Sequence, residues 1–360
     1  KTHFGEGSVQ HQALAVLWTL AFNDKNEDLI CSLGGVEQVL KSMRMHMDLL
    51  SVQHFGCGAL MNMSVSAGSS ERIVDLGGVT TVTEALRRYP DESLHHYGCW
   101  MLMNLAVNAK LKEGIISQGG LKEVLRSLTL MEASPKVLQV CFGTIINLVG
   151  EDDISVGEVV EAEGGITSTV RAMLRHRADF NVLRFGCWLL ANLSFHEGCV
   201  RQMSNRTTVD ILLWCIGSEQ ADATNCMFAL EALCGIIGER LLLSQPDVEV
   251  IMSALQVFVE DREVAVQAMD LFLKALAPSS LWAVLGQDEN IQFISSVVAV
   301  HASELPVVYS SLRLFSKLLH RKPNTLSPAA LDLIGMSIKV AMEAHPNALV
   351  SLIQKISRRL

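Results

Sequence analysis

The feature that most constrains this chain is a repeat with a period of 42 to 45 residues. Four segments share an apolar helical pattern that ends in an asparagine followed by an apolar residue. These asparagines are 42, 43 and 45 residues apart: Asn62, Asn104, Asn147 and Asn192. Pairs of glycines keep the same phase: Gly34-Gly35, Gly77-Gly78, Gly119-Gly120 and Gly164-Gly165. Two independent markers in phase over four periods indicate a solenoid of stacked repeats.

Each repeat has the pattern of three helices. Apolar residues recur at spacings of three and four over residues 52–64, which is typical of an amphipathic helix. A short helix is predicted over residues 71–76, and a further helix over residues 79–89, which Pro90-Asp91 ends. The glycine pair between these two helices supplies a left-handed residue at a helix C-terminus and a sharp change of direction.

The repeat pattern also extends, in weaker form, towards both ends of the sequence. Thr19 takes the asparagine position 43 residues before Asn62. After Asn192, the pattern continues at Ala232, Ala275 and Lys317, with spacings of 40, 43 and 42 residues. About eight repeats are therefore expected. Residues 1–205 are predicted to form about five regular repeats, and residues 206–360 are predicted to form divergent repeats continuous with them.

The glycine pair before an aliphatic helix, together with endings such as Trp100-x3-Asn104-Leu105, resembles the armadillo repeat family. The resemblance is strong over about residues 8–205, and beyond them HEAT-like repeats fit equally well. It implies an all-α fold, a right-handed α-α superhelix (an armadillo/HEAT-type solenoid). It also implies a concave groove, lined by the third helices of the repeats, that binds extended peptides or partner proteins.

At about 100° per residue, the asparagine and the positions four and eight residues before it fall on one line of the third helix. In stacked repeats these positions would form parallel ladders. An amide both donates and accepts, so an asparagine ladder suits an extended backbone, and tryptophans offer walls for side-chain stems. The candidate partner-binding groove comprises Asn62, Asn104, Asn147, Asn192, Trp100, Trp188, His54, His96, Gln139 and Arg184.

The other side of the same helix is predicted to be core. It carries aliphatic pairs such as Leu102 and Leu105, and a recurring glycine-cysteine pair such as Gly98-Cys99. Glycine inside a helix costs about 0.5–1 kcal/mol relative to alanine, so its recurrence predicts close approach by another helix. An alternative for the asparagines stays open, because an amide near a helix end can simply bridge to a neighbouring helix.

Composition excludes several classes of protein. With 49% hydrophobic and 19% charged residues, the chain is predicted to bury a large core. Nine cysteines without a CxxC pair favour a reducing compartment, and a net charge of −9 argues against nucleic-acid binding. We expect a cytoplasmic location, with a nuclear or membrane-tethered one left open. Because the chain starts with Lys1, we also expect it to be part of a longer protein.

The sequence carries no enzyme signature such as GxGxxG, a P-loop or GxSxG. His54-x2-Cys57 and His96-x2-Cys99 have the spacing of metal-ligand pairs. The helical wheel, however, directs the cysteines inward and the histidines outward. We therefore expect no enzyme activity, no cofactor and no metal.

The sequence predicts a protein-protein interaction scaffold or adaptor. Partners are expected to be neutral or acidic proteins or peptides, because Arg184 and histidines accompany the predicted groove. In an importin-α-like cargo receptor, which the tryptophan-asparagine pairs also resemble, acidic residues accompany such pairs, so that alternative is less favoured. The main alternative is an architectural arm of a larger multidomain or cytoskeletal protein.

Overall fold

The computed structural model describes residues 3–150, 154–219, 221–238, 241–276, 281–321 and 326–358. The chain divides into two compact units, Lys1–Cys199 and Val200–Leu360. In the described residues both units are all-α, apart from an isolated bridge between Gly238 and Leu241. None of the described helices combines the length and apolar content needed to cross a bilayer. The predicted division at residues 1–205 and 206–360 concerns the regularity of the repeats and stays a prediction.

The first unit begins with a single helix, which is followed by four repeats. Its helices are α1 (Gly7–Leu20), α2 (Asp24–Ser32), α3 (Gly35–Met45), α4 (Leu50–Met63), α5 (Ala67–Asp75), α6 (Gly78–Arg88), α7 (Glu92–Ala106), α8 (Lys112–Ser117), α9 (Gly120–Leu130), α10 (Pro135–Leu148), α11 (Ile154–Ala162), α12 (Gly165–Arg175) and α13 (Phe180–Leu193). A 3-10 helix, Ala109–Leu111, precedes α8. The third helices α1, α4, α7, α10 and α13 pack against one another in this order.

The second unit continues the helical pattern with less regular lengths. Its helices are α15 (Arg206–Gly217), α16 (Ala223–Ile236), α17 (Gln245–Val257), α18 (Arg262–Ala275), α19 (Trp282–Leu285), α20 (Asp288–Val300), α21 (Leu305–Arg321), α22 (Pro328–Ala344) and α23 (Val350–Ser357). The short α14 (Glu197–Met203) spans the boundary between the units. Within the second unit, α16 packs on α18 and α18 packs on α21, as successive third helices would.

Both residues of each glycine pair are required, for different reasons. Gly77 has φ of +70° and caps α5 through a bond from its N–H to the carbonyl of Val74 at 3.0 Å. Gly78 begins α6, and a Cβ atom there would lie 2.6 Å from the carbonyl oxygen of Ile73. The predicted left-handed residue is therefore the first glycine, whereas the second allows α5 and α6 to cross closely.

The predicted core positions of the third helices are buried. Leu102, Leu105 and Cys99 are fully enclosed. The glycine one residue before the cysteine faces the middle helix of its own repeat: a Cβ at Gly56 would lie 2.5 Å from the Cγ of Met43. This is the close helix approach that the recurring glycine predicts, because a larger residue would displace the Met43 side chain of α3.

A second set of polar contacts joins successive repeats at the ends of their middle helices. The residue that ends the middle helix reaches the backbone carbonyl just past the equivalent helix of the preceding repeat. Tyr89 donates to Met47 at 3.1 Å, and His176 Nε2 contacts the carbonyl of Glu132 at 2.7 Å. His301 makes the same contact to Val259 at 2.7 Å in the second unit. The sequence shows these residues in phase with the repeat, but their partners become apparent only in the fold.

Candidate functional site

Three of the four predicted asparagines of the third helices join neighbouring repeats. Asn62 Nδ2 donates to the carbonyl of Trp18 at 2.9 Å, and Asn147 Nδ2 donates to the carbonyl of Met103 at 3.2 Å. Asn104 Nδ2 donates to the carbonyl of Met61 at 3.2 Å and to Ser64 Oγ at 3.0 Å. In each case the acceptor carbonyl lies one residue before the asparagine position of the preceding repeat. These Nδ2 atoms therefore have the bridging role that the sequence left open as an alternative.

The oxygen atoms of the same amides remain available. No described residue donates a hydrogen bond to Oδ1 of Asn62, Asn104 or Asn147, and none of these atoms is a buried atom without a partner. Each Oδ1 therefore keeps some accessible surface. Bridging and ligand binding do not exclude each other, because an amide offers two N–H groups and one carbonyl oxygen. The bridging bond from Nδ2 fixes the orientation of the amide and leaves Oδ1 available to accept another hydrogen bond.

Asn192 provides a matched comparison for the bridging role. It is half-buried at the same position of α13, and within the described part of the chain it is the one asparagine of this series whose amide makes no such bond. We expect Asn147→Ala, which removes a single bond, to lower the free energy of unfolding by about 1 kcal/mol, the usual net value of such a bond. Asn192→Ala should lower the free energy of unfolding less, because its amide has no such bond to lose. The comparison is matched, since both substitutions change helix propensity equally. Chemical denaturation of both variants measures the difference, and equal losses would mean that the bond contributes nothing.

The two predicted tryptophans differ in exposure. Trp100 on α7 is 38% exposed, while Trp188 on α13 is half-buried and stacked on Phe185 with ring centroids 6.3 Å apart. The other repeats have glycine at this position because a large residue from the preceding repeat fills the space. A Cβ at Gly58 would lie 2.9 Å from the Trp18 ring, and a Cβ at Gly143 would lie 2.6 Å from the Met103 sulfur. The tryptophan ladder is therefore interrupted by packing.

The two predicted histidines belong to a continuous aromatic cluster rather than to a free polar face. His54 lies between Trp18 and Tyr97, with ring centroids 6.0 and 5.3 Å away. His96 lies between Tyr97 and Trp100, at 5.5 and 5.3 Å. Burial lowers the pKa of both rings; Asp91 opposes this shift for His54, and Lys136 adds to it for His96. Neutral rings packed in this way extend the aromatic surface of α4 and α7.

The remaining two candidates, Gln139 on α10 and Arg184 on α13, are half-buried on the same helix series. Neither is part of the aromatic cluster, which links α1, α4 and α7. The structure therefore brings one subset of the predicted site residues together at the first three third helices.

A cleft with a volume of about 260 Å³ opens at this place. Its lining includes Phe22, Glu27, Asn62, Val65, Trp100 and Asn104. It unites three of the predicted residues with five that were not predicted, among them Ala21 and Met61. Sites for whole small molecules usually have volumes of about 300–1,000 Å³, so this cleft is suited to a single long side chain.

Sequence reasoning missed a row of exposed apolar residues just after the third helices. The row lies three residues beyond the asparagine position and comprises Phe22, Val65, Val107 and Phe195, which are 83%, 70%, 74% and 57% exposed. We call it the apolar row. In the repeat of Asn147 the equivalent residue is Gly150. The row is in phase with the repeat, but it lies just beyond the helical pattern from which the site was predicted. The row recurs with the repeat, which single exposed apolar residues scattered over a surface do not do.

The third helices of the first unit carry almost no charge. Across α1, α4, α7, α10 and α13 the sequence has one acidic residue, Glu92, and two basic residues, Lys136 and Arg184. The surface they form therefore presents amides, aromatic rings and aliphatic groups. It provides no cluster of either sign that would attract a strongly charged partner along its length.

The second unit replaces the bridging asparagine with lysine. Lys317 Nζ donates to the carbonyl of Leu273 at 3.0 Å, and Lys274 Nζ donates to the carbonyls of Cys234 and Gly235. Lys317 is at the predicted position of its repeat, and Lys274 is next to the predicted Ala275. The ammonium group of a lysine reaches a carbonyl of the preceding third helix by a longer stem than an asparagine has.

The described residues contain no group of three or more His, Cys, Asp or Glu side chains that could hold a metal ion. All nine cysteines are free thiols. Burial raises the pKa of Cys57 and Cys141, so these thiols stay protonated in the core. Cys57 is buried, as the helical wheel predicts, whereas His54 is half-buried in the aromatic cluster and not on an open polar surface.

No protein-family model matches the chain, and no curated protein matches it by sequence. Solved structures do match its fold. One comes from work on a conserved phosphorylation switch that controls the interaction between cadherin and β-catenin; the TM-score is 0.67 at 13% identity, with 93% of this chain and 73% of that chain covered. Another is a designed armadillo repeat protein in complex with the peptide (KR)4, with a TM-score of 0.53 at 16% identity, covering 65% of this chain and all of that one (100%).

An engineered protein also matches, with a TM-score of 0.55 at 21% identity, covering 64% of this chain and 92% of that chain. At these identities the likeness establishes the fold alone. The chain has an armadillo-repeat-like fold and is an all-α solenoid, as the sequence predicts.

Proposed function

We propose that this chain is a protein-interaction scaffold whose first unit binds an extended peptide along its third helices. The observation that carries the proposal is the alignment of two features in the same repeats. Accessible amide oxygens at Asn62 and Asn104 lie beside exposed apolar residues at Val65 and Val107. A peptide in extended form needs backbone partners and apolar contacts at regular intervals, and both recur here with the repeat.

The contacts divide into backbone and side-chain roles. The Oδ1 atoms accept hydrogen bonds from peptide N–H groups, while the bridging bonds keep each amide from turning. Apolar side chains of the peptide cover residues of the apolar row, each contributing about 1.5–3 kcal/mol if fully buried. Trp100 and the histidine rings form one wall of the path.

The partner is proposed to be largely uncharged. The sequence left neutral and acidic partners open, and the single acid and two bases on the third helices favour the neutral one. The fold supports a binding role in general terms, since the designed armadillo repeat protein of similar fold was solved with a bound peptide. An importin-α-like cargo receptor is not favoured, because extended basic cargo would meet almost no acid along these helices.

The test is selection of a displayed library of random twelve-residue peptides against the 360-residue chain. Twelve extended residues span at most about 40 Å, about the width of four stacked helices. Enriched peptides are then synthesised, and their Kd values are measured by fluorescence polarisation. We expect Val107→Ser combined with Phe195→Ser to weaken binding by about ten-fold or more, because both side chains are exposed and available for contact.

A matched control is Leu33→Ser, since Leu33 has a similar exposure, 76%, but follows α2, the first helix of its repeat, and not a third helix. It should leave the Kd unchanged, and all variants should keep the melting temperature of the parent. If no peptide is enriched, the proposal is wrong and the architectural arm becomes the better account. Equal weakening by Leu33→Ser would show that binding is not directed to the apolar row.

A further inference from the structure

Three histidines lie close together on α4 and α7, and none of them is exposed. His95 is fully buried on α7, while His54 and His96 are half-buried in the aromatic cluster. The three histidines of the second unit are on separate elements: His301 follows α20, His320 is on α21 and His345 follows α22. The first unit therefore concentrates at one place the side chains that gain charge just below neutral pH.

His95 is held as a neutral ring by its two hydrogen bonds. Its Nε2 contacts the carbonyl of Tyr89 at 3.1 Å, and a carbonyl only accepts, so Nε2 carries the proton. Nδ1 then accepts from Ser127 Oγ at 2.7 Å. Burial lowers the pKa of His95, Arg126 adds to this shift, and Glu123 opposes it. A second proton on the ring would remove the acceptor that Ser127 uses inside the core.

His96 is adjacent in sequence and has no hydrogen bond to lose. Both of its ring nitrogens are enclosed, and neither has a partner among the described residues. Burial lowers the pKa of His96, Lys136 adds to this shift, and Glu92 opposes it. A cation without a partner is strongly destabilised in such surroundings, so His96 takes up a proton only when its ring reaches water.

His54 completes the group from the neighbouring third helix. Its ring contacts Tyr97, with ring centroids 5.3 Å apart, and Tyr97 also contacts His96 at 5.5 Å. Burial lowers the pKa of His54, and Asp91 opposes this shift. One tyrosine therefore connects two of the three histidines, so movement of either ring disturbs the packing of the other.

The acids around the three rings already have partners. The pairs are Asp91 with the N–H of Leu94 at 2.8 Å, Glu92 with Lys136 at 3.1 Å, and Glu123 with Arg87 at 2.9 Å. Of the other helices in contact, α10 carries no charged residue besides Lys136, and α1 carries only the titratable ring of His11. No carboxylate of these groups is left to stabilise a new imidazolium in the folded state.

We propose that α4 and α7 form an acid-sensitive switch, in which this part of the first unit opens as the three histidines take up protons in water. A group with a lower pKa in the folded than in the unfolded state stabilises the fold above its unfolded pKa, about 6.5 for histidine. That stabilisation is lost as the pH falls below this value. Each repeat contacts mainly its neighbours, so the opening is local.

The consequence for binding follows from the position of the switch. The third helices α4 and α7 carry Asn62 and Asn104, so their opening would also release a peptide bound there. This consequence alone rests on the proposed function. The opening itself does not, and it is measured without any peptide.

Hydrogen exchange of the 360-residue chain, corrected for the intrinsic exchange rate, measures the opening. Each excluded proton favours opening by up to about ten-fold per pH unit. Between about pH 7 and about pH 5.5, we expect the opening constant of α4 and α7 to rise about 100-fold, and that of α16 and α18 to rise less than about ten-fold. His96→Phe keeps an aromatic ring but removes one proton site, so the rise in α4 and α7 should fall to about ten-fold.

His320→Phe is the matched control, since His320 is exposed on α21 and the opening of the first unit leaves its surroundings unchanged. It should keep the full response. Side-chain NMR of the parent gives a second test that needs no variant: His95 and His96 should stay neutral in the folded chain at about pH 6. Equal rises in the two units, a full response in His96→Phe, or protonated rings in the folded chain would each overturn the inference and leave the proposed function intact.

Discussion

Leu102→Ala is expected to lower the free energy of unfolding by about 2–5 kcal/mol. Leu102 is fully buried on α7, which packs against α4, α6 and α10. Removing three carbons there leaves a cavity, because several helices would have to move together to fill it. Each repeat contacts mainly its neighbours, so the loss should be local rather than spread through the chain.

Hydrogen exchange followed by mass spectrometry measures both the size and the location of this effect. Protection should fall most in α4, α6, α7 and α10 and should change little in the helices of the second unit. Val107→Ala is the matched control, since Val107 follows the same helix but is exposed, and such changes usually stay within about 0.5 kcal/mol. Uniform loss of protection from residue 10 to residue 350 would contradict the local behaviour of a repeat protein.

Gly78→Ala is expected to destabilise the first unit by about 1–3 kcal/mol, the usual range for overpacking. The new Cβ would lie 2.6 Å from the carbonyl oxygen of Ile73 and 2.6 Å from its Cγ2. A backbone atom cannot turn aside as the end of a side chain can, so the crossing of α5 and α6 would have to open. Thermal and denaturant unfolding of the variant measure the cost.

Gly335→Ala is the corresponding control, with the opposite sign. Gly335 lies inside α22, and nothing lies within 4 Å of the Cβ that alanine would add. Alanine should therefore stabilise the helix by up to about 1 kcal/mol. A Gly78→Ala variant as stable as the parent would mean that the α5–α6 crossing tolerates a wider separation.

Much of the fold could be predicted because its determinants are local and repeated. Apolar spacing over a dozen residues specifies a helix and its buried side, and the glycine pair marks each short turn. Leu102 and Cys99 were assigned to the core by helical arithmetic alone, and both are buried. In the second unit the phase is less clearly marked, because Lys274 and Lys317 make the contacts to the preceding third helix that asparagines make in the first unit.

The candidate site was predicted only in part. Asn62, Asn104 and Trp100 do meet at one cleft, but Glu27 and Phe22 reach it from a short helix and a loop of the same unit. Neither residue belongs to a repeated motif of the third helix. The apolar row was visible in the sequence, but its meaning depended on exposure, which a single repeat does not reveal.

The sequence by itself determined the repeat period, the helices, the turns between them and the buried side of each third helix. Each of these follows from backbone propensity and from the spacing of residues over a few helical turns. Only the tertiary structure decided what the polar residues do. Asn104 donates to Met61 at 3.2 Å across 43 residues, Trp18 fills the space over Gly58, and the buried Glu27 accepts from Ser66 at 2.8 Å. These outcomes depend on distances between separate repeats, where a few tenths of an ångström separate a hydrogen bond from none, and periodicity along one helix carries no information about such distances.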